Sequence, residues 1–94
     1  MIATQRCLRP HVANPVPDHM KLVWRVPCPA ERVRVIEWSC ECRSTVYELC
    51  LAGEQAFLRR PHHFNGARQV HETYRWPIRQ GDDVWRALLC GQAR

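Results

Sequence analysis

Residues 44–60, Ser-Thr-Val-Tyr-Glu-Leu-Cys-Leu-Ala-Gly-Glu-Gln-Ala-Phe-Leu-Arg-Arg, predict a β-hairpin that organises the rest of the chain. The β-branched, aromatic and leucine side chains suit a pleated surface, and Gly53 interrupts the run where a turn is needed. A two-residue loop of Gly53 and Glu54 predicts a type II′ turn, which favours glycine at its first central position. This turn places Glu48 opposite Arg59, and the cross-strand ion pair supports that register.

The length and composition of the chain predict a single small globular domain. It has 94 residues, of which 46% are hydrophobic and 24% are charged, and this length supports one modest core. It contains no run of about 18 apolar residues, so no membrane span is expected. The N-terminal residues lack the apolar stretch of a signal peptide, which predicts a cytoplasmic protein. Near-exclusive use of arginine over lysine indicates a GC-rich bacterial source.

The net charge of +5 is spread along the chain rather than concentrated in one block. Counting lysine and arginine against aspartate and glutamate, residues 1–30 carry +3, residues 31–60 carry 0 and residues 61–94 carry +2. Basic proteins favour anionic partners in general. Because this chain has no basic block, nucleic acid is an alternative partner rather than the first choice.

Two further strands are predicted before the hairpin. Residues 1–18 contain three prolines and no sustained hydrophobic period, which predicts an extended or flexible N-terminal arm. Residues 19–26 alternate apolar and polar side chains, so they are predicted to form a half-buried first strand. Residues 32–42 are predicted to form the second strand, with a bulge at Val35 and Ile36, where the alternation changes phase.

One more strand is predicted after the hairpin. Asn65-Gly66 is a strong signal for a tight turn, and residues 69–76 follow it as the last strand. This turn would place Arg59 opposite Glu72, so that the arginine lies between carboxylates on both neighbouring strands. The proline four residues before the turn predicts frayed pairing near the loop.

A short helix is predicted at the end of the chain, over residues 81–91. Asp82 and Asp83 suit a helix start, an apolar stripe follows them, and Gly91 suits a helix stop. The predicted architecture over residues 19–94 is therefore an α+β domain. It consists of a five-stranded antiparallel β-meander with one short C-terminal helix packed on the sheet.

The cysteines and histidines provide one candidate metal site. Cys40 and Cys42 are separated by one residue, so on a strand both sulfurs would lie on the same face. In the predicted meander, His62 and His63 lie in a loop at the same end of the sheet. These four residues predict a Cys₂His₂ zinc site, although C-x-C is not the usual spacing of zinc knuckles. The alternative is that the cysteines are small buried apolar groups, the histidines are solvated, and no cofactor binds.

The sequence lacks the patterns that are typical of catalysis. It has no Ser-His-Asp order, no glycine-rich phosphate loop and no paired-carboxylate motif. Cys90 is predicted near a helix C-terminus, where the helix dipole disfavours a thiolate. We therefore predict that the protein is not an enzyme.

Arginine and aromatic side chains on the predicted sheet are candidate binding residues. The set consists of Arg59, Arg60, Phe57, Tyr74 and Arg75. A sheet face of this kind can stack nucleic-acid bases. No recognisable RNA-binding or DNA-binding signature accompanies it, however, so nucleic-acid binding is an alternative.

Binding of a protein partner, or assembly as a homo-oligomer, is the predicted function. The second sheet face, with Val46, Cys50 and Phe57, is expected to be partly apolar and exposed. Surfaces that combine exposed apolar groups with arginine and aromatic residues are typical of interfaces. A nucleic-acid-binding sheet and a small zinc-binding domain are the two alternatives.

Overall fold

The computed structural model describes residues 9–27, 32–42 and 45–94. Its elements are β1 (Arg34–Trp38), β2 (Glu48–Ala52), β3 (Gln55–Phe64), β4 (Ala67–Glu72), β5 (Trp76–Pro77) and α1 (Ile78–Leu89). Strands β1 to β4 form an antiparallel meander, β5 pairs with β3, and α1 packs on the sheet. The predicted fold class, a five-stranded antiparallel sheet with one C-terminal helix, is confirmed.

The β2–β3 hairpin has the predicted register. Glu48 is opposite Arg59, and Arg59 Nε donates a hydrogen bond of 2.7 Å to Glu48 Oε1. Gly53 has a φ of 64°, as the first central position of a type II′ turn requires. Arg59 is also opposite Glu72 on β4, so the arginine lies between two acidic residues across three strands, as predicted.

Strand β3 continues through Pro61 and ends at the Asn65-Gly66 turn. Both turn residues have positive φ, 52° and 77°, which a type I′ turn requires. The frayed pairing predicted near Pro61 is wrong, because Pro61 is opposite Val70 in an unbroken register. The N–H and C=O of a strand residue point to the same side, and Pro61 O accepts a bond from Val46 N–H on the β2 side. The missing N–H therefore removes no hydrogen bond between β3 and β4.

The last predicted strand is interrupted after Glu72. Pairing resumes at Trp76, so two residues of β3 are opposite three residues of the last segment. Thr73 bridges the gap. Its N–H donates to Leu58 O at 2.9 Å, and its hydroxyl oxygen accepts from Leu58 N–H at 3.0 Å. The extra residue acts as a β-bulge, and Tyr74 is 57% exposed beside it.

The segment predicted as the first strand, residues 19–26, forms no ladder with β1. It makes a parallel bridge from Met20 to Ala93 and an antiparallel bridge from Arg25 to Glu72. It therefore lies beside β4 and the residues after α1, and the fifth strand of the sheet is β5. Two of its alternating apolar side chains still pack against the core.

Strand β1 is shorter than the strand predicted over residues 32–42. Its pairing with β2 shifts between Val35 and Glu37, which is the position of the predicted bulge. The strand ends before Cys40 and Cys42. The sequence predicts that both cysteines lie on this strand. They lie instead in the loop that follows it.

Helix α1 begins directly after Pro77, three residues earlier than predicted, and Asp82 and Asp83 lie within it. Proline suits a helix start because it has no N–H to satisfy there. Gly91 follows the helix with a φ of 79°, which confirms the predicted stop. No helix in the described ranges is long and apolar enough to cross a membrane.

The core lies between α1 and one face of the sheet. Its buried apolar residues are Tyr47, Leu49, Ala56, Leu58, Val84, Trp85 and Leu88. Gly81 allows the helix to approach the sheet closely, because an added Cβ would overlap Ala56 Cβ. Trp85 Nε1 donates a hydrogen bond of 3.1 Å to Glu37 Oε1. The helix is thus joined to β1 as well as to the centre of the sheet.

Candidate metal centre

Residues 9–20 form an extended arm that is held to the rest of the fold by backbone hydrogen bonds. Three of these bonds, each 2.9 Å long, are Cys40 N to Pro10 O, Ala13 N to Leu89 O and Val16 N to Gly91 O. Gly91 leaves room for the arm, because an added Cβ would overlap Asn14 O. The predicted flexibility of residues 1–18 stays a prediction for residues 1–8, which lie outside the described residues.

His11 on the arm comes together with Cys40 and Cys42 in the loop after β1. One nitrogen and two sulfurs of these side chains all lie within 4.8 Å of one another. His11 Nδ1 is 3.7 Å from Cys42 Sγ. Cys42 N–H donates a hydrogen bond of 3.3 Å to Cys40 Sγ. This bond holds the Cys40 sulfur beside the backbone of Cys42.

These separations suit a tetrahedral metal ion. Zinc lies about 2.3 Å from sulfur and about 2.0–2.1 Å from nitrogen, so tetrahedral angles place such ligands roughly 3.6 Å apart. The observed 3.7 Å between His11 Nδ1 and Cys42 Sγ fits this value. Two sulfurs on one zinc ion would be roughly 3.8 Å apart, which the 4.8 Å limit of the cluster also allows. The three side chains can therefore bind one ion with little rearrangement.

Ser39 anchors the loop that carries the two cysteines. Its N–H donates to Tyr47 O at 2.8 Å, and its Oγ accepts from Tyr47 N–H at 3.0 Å. Ser39 and Cys40 are buried, whereas Cys42 and His11 are exposed. An ion at this position would thus have one ligand in the protein interior and two at the surface, where it could be reached from solvent.

The three side chains line a cleft of about 340 Å³ between the arm and the sheet, which we call the arm cleft. Its wall also contains Ser39, Thr45, Tyr47 and Arg94. The Arg94 guanidinium carbon lies 5.5 Å from the centroid of the Tyr47 ring. None of the described residues that line the cleft is aspartate or glutamate. The arm cleft therefore combines soft metal ligands with a single cationic side chain.

The structure does not assemble the four residues of the predicted zinc site. Cys40 and Cys42 come together with His11, and neither His62 nor His63 belongs to this group. His62 instead stacks on His71, with ring centroids 5.6 Å apart and planes inclined by 13°. The sequence analysis missed His11 because no local pattern links an arm residue to a loop beyond β1.

The arginines predicted to bind a partner make contacts within the protein itself. Arg59 Nε lies 2.7 Å from a glutamate oxygen of β2, and the Arg60 guanidinium carbon lies 4.5 Å from the centroid of the Trp24 ring. Tyr74 is exposed, but the Arg25 guanidinium carbon lies 4.4 Å from its centroid. Each of these cation–π contacts covers one face of an aromatic ring on which a base could stack, and nucleic-acid binding stays a prediction.

The second face of the sheet is covered by its own side chains. Cys50 and Phe57 are fully buried, and Val33 packs against them. The Arg75 guanidinium carbon lies 4.4 Å from the Phe57 centroid, and Arg75 Nη2 is 3.4 Å from Glu72 Oε1. We call Val33, Cys50, Phe57 and Arg75 the second-face cluster. The exposed surface expected at Cys50 and Phe57 is therefore wrong.

Cys50 lies in an environment opposite to that of the arm cleft. Burial raises the pKa of its thiol from the ordinary value of 9.0 to about 12. It therefore stays protonated at neutral pH, whereas nucleophiles and metal ligands need the thiolate. Cys50 is a packing group rather than a functional thiol.

Comparisons with known proteins assign no family to the chain. No protein-family model, no curated protein and no solved structure matches it. The chemistry of the site consequently rests on its own side chains, which are two thiols, an imidazole and a guanidinium around one cleft.

Proposed function

We propose that this protein is a small zinc-binding domain, in which His11, Cys40 and Cys42 bind one zinc ion. The observation that carries the proposal is the convergence of one imidazole nitrogen and two sulfurs within 4.8 Å. The atoms come from the arm and from the loop after β1, which are distant in sequence. The hydrogen bond from Cys42 N–H to Cys40 Sγ holds the two cysteines close together.

The ligand types favour zinc over harder cations. Magnesium and calcium prefer oxygen ligands, and no aspartate or glutamate is found among the described residues of the arm cleft. Cysteine sulfur and histidine nitrogen are the usual ligands of zinc in proteins. Its full d shell imposes no geometric preference, and its protein sites are usually tetrahedral. One ion with three such ligands agrees with the spacing of the cluster.

A zinc ion here would join the arm to the loop after β1. Backbone hydrogen bonds already hold the arm at Pro10 and Ala13, and a metal link through His11 would add a strong contact between them. Because a metal that binds only the folded chain stabilises it, zinc would contribute directly to folding. The role we propose is non-enzymatic.

Native mass spectrometry of the reduced protein, with and without a chelator, tests the proposal. We expect one zinc ion per chain, removed by the chelator. His11→Asn and Cys42→Ser should lose the ion. His63→Asn is the matched control, since His63 belongs to the sequence-predicted set but not to the cluster, and it should keep the ion. A wild-type protein that stays metal-free in zinc-containing buffer would contradict the proposal. Loss of zinc in His63→Asn, with zinc retained in His11→Asn and Cys42→Ser, would contradict it as well.

A second candidate function is assembly with another copy of the chain, and exposed apolar side chains favour it. Met20, Val23, Val26, Tyr74 and Ile78 are each between 46% and 75% exposed. Met20, Val23 and Tyr74 line one cleft of about 280 Å³. Exposed apolar groups of this kind are typical of interfaces.

Sedimentation equilibrium tests this second candidate. A mass that is a multiple of the monomer mass, that persists in high salt and that falls in Val23→Ser would support self-assembly. Arg79→Ser, an exposed helix position, is the control and should leave the mass unchanged. A monomer at every concentration would contradict it.

A further inference from the structure

The two cysteines of the candidate metal centre differ in how easily solvent reaches them. Cys42 is exposed, whereas Cys40 is buried, with 9% of its surface accessible. We propose that Cys42 is an oxidation site at which a hydroperoxide, hydrogen peroxide in the simplest case, converts the two zinc-bound thiolates into a disulfide and releases the ion. This inference rests on the proposed zinc-binding function.

Access and thiolate character together decide which cysteines are oxidised. Cys40 and Cys42 both line the arm cleft, whose volume is about 340 Å³, so a molecule as small as hydrogen peroxide can enter beside them. Binding to a metal ion removes the proton of a thiol, and the thiolate is the nucleophile. The exposed thiolate of Cys42 therefore reacts first, and Cys40 is the second cysteine that resolves the product.

The other described cysteines lack this combination of features. Burial raises the pKa of Cys50 to about 12, so its thiol keeps its proton at neutral pH. Cys90 is exposed, but it does not belong to the group of metal ligands found among the described residues. Redox-sensitive cysteines are typically accessible and lie next to a resolving cysteine. Of the described cysteines, Cys42 is the one that is exposed and shares a candidate metal site with a second sulfur.

The geometry of the loop allows the two sulfurs to bond. Disulfides need Cα atoms about 4.4–6.8 Å apart, and two residues apart on a straight strand these atoms would lie near the upper limit. The chain instead bends at Glu41 and Cys42, which brings the two Cα atoms closer. The sulfurs already lie within 4.8 Å of each other. The pairing requires only that the two sulfurs meet, whatever other groups contact them.

The oxidation balances with one molecule of hydrogen peroxide. The Cys42 thiolate attacks one peroxide oxygen, the O–O bond breaks and hydroxide leaves, so Cys42 becomes a sulfenic acid. The Cys40 thiolate then attacks Cys42 Sγ, the S–O bond breaks, and a second hydroxide leaves as the disulfide forms. Each hydroxide takes up a proton and becomes water. The sulfurs lose two electrons to the peroxide, and zinc leaves because both thiolate ligands are gone.

Full-length protein loaded with zinc provides the test. Hydrogen peroxide is added in steps, and a chromophoric zinc indicator measures the released ion. We expect one zinc ion released for each peroxide consumed. Trypsin cleaves after Arg34 and Arg43, so one peptide, residues 35–43, contains both cysteines. That peptide should become two hydrogens lighter and resist alkylation, and a small dithiol should reverse the change and restore zinc binding.

Two variants locate the chemistry. Cys42→His keeps a zinc-binding side chain at this position but cannot form the disulfide, so its zinc should stay bound at peroxide concentrations that empty the wild type. Cys90→Ser is the matched control, because it removes an exposed thiol outside the cluster. Its zinc release should stay within about twofold of wild type. If Cys42→His does not fold or bind zinc, the peptide map of the wild type decides the proposal.

The results that would overturn the inference are distinct from those that would overturn the proposed function. Zinc that stays bound in the presence of peroxide, or zinc released without a disulfide, would refute the redox step and leave zinc binding intact. A disulfide that joins Cys40 or Cys42 to another part of the chain would refute the assigned pairing. Failure of the wild-type chain to bind zinc at all would refute the proposed function as well.

Discussion

The arm cleft and the second-face cluster both contain cysteine near arginine and aromatic side chains. They differ in whether the cysteines are enclosed by packing or line a cleft. In the second-face cluster the Cys50 thiol is buried, and Arg75 is stacked on a ring and paired with a carboxylate. In the arm cleft the ligand atoms of His11, Cys40 and Cys42 converge on one another beside a solvent-accessible space.

The difference follows from where each thiol lies relative to the sheet. Cys50 is in the middle of β2, with pairing partners on both neighbouring strands, so its side chain is enclosed by packing. Cys40 and Cys42 follow the end of β1, where another segment can bring a histidine within reach. A cysteine at the centre of a sheet is thus enclosed by packing, whereas cysteines beyond a strand end can lie beside a side chain from a distant segment.

Serine substitution at the two kinds of cysteine should give the largest contrast. Cys42→Ser removes one of the three proposed ligands, so zinc affinity should fall by about 100-fold or more. Cys50→Ser should leave zinc affinity within about twofold and lower stability instead, because it buries a hydroxyl among apolar groups. Competition with a chromophoric chelator measures the first effect and urea unfolding the second. If Cys42→Ser and Cys50→Ser both fold and lose zinc affinity equally, the two cysteines do not differ in this role.

Phe57→Ala should produce the largest loss of stability in the second-face cluster. Its ring is fully buried and lies under the Arg75 guanidinium. Removing a buried phenylalanine side chain costs about 3–5 kcal/mol, which chemical denaturation of the variant would measure. Phe57→Leu, which keeps most of the apolar volume, is the control and should cost clearly less. A loss below about 1 kcal/mol in Phe57→Ala would mean that this face is loosely packed.

Gly81→Ala extends the comparison to the face covered by α1. Alanine is the better helix former by about 1 kcal/mol, but its Cβ would overlap Ala56 Cβ. Since overpacking typically costs about 1–3 kcal/mol, we expect net destabilisation in thermal and urea unfolding. Gln80→Ala, at an exposed position of the same helix, should be neutral or slightly stabilising. A stabilised Gly81→Ala protein would show that the helix can move away from the sheet.

The effect expected to be smallest near neutral pH is a pH dependence that belongs to Cys50. Its thiol has an ordinary pKa of 9.0, and burial raises this pKa to about 12 in the folded protein. As pH rises through this window the unfolded chain loses the proton first, so the contribution of Cys50 to stability is complete below pH 9 and declines towards pH 12. The difference between the unfolding free energies of wild type and Cys50→Ala, measured against pH, isolates this group. A constant difference would show that the thiol is not desolvated.

Most of the sheet could be predicted from the sequence, because its turns and strand pairing depend on residues that lie close together in the chain. The Gly53 turn and the Asn65-Gly66 turn determine the pairing of three consecutive strands. The bulge in β1 appears in the sequence as a change of phase at Val35. Each of these features depends on residues close together in the chain or directly opposite one another.

Other local patterns were overridden by tertiary contacts. Residues 19–26 alternate like a strand, yet they make only single bridges to Glu72 and Ala93. Pro61 is expected to break a strand, but its missing N–H faces the side of Val46, which precedes the start of β2. Periodicity and propensity report which side chains are buried, and they do not say which backbone groups are paired.

The sequence by itself determined the fold class, the hairpin register and the fact that Cys40 and Cys42 lie near each other. Only the tertiary structure decided that their third companion is His11 rather than His62 or His63. Turns and strand pairing are local, so they are written in adjacent residues. The candidate metal centre instead depends on how the arm lies against the loop after β1, and that contact between distant segments is set by packing and backbone hydrogen bonds.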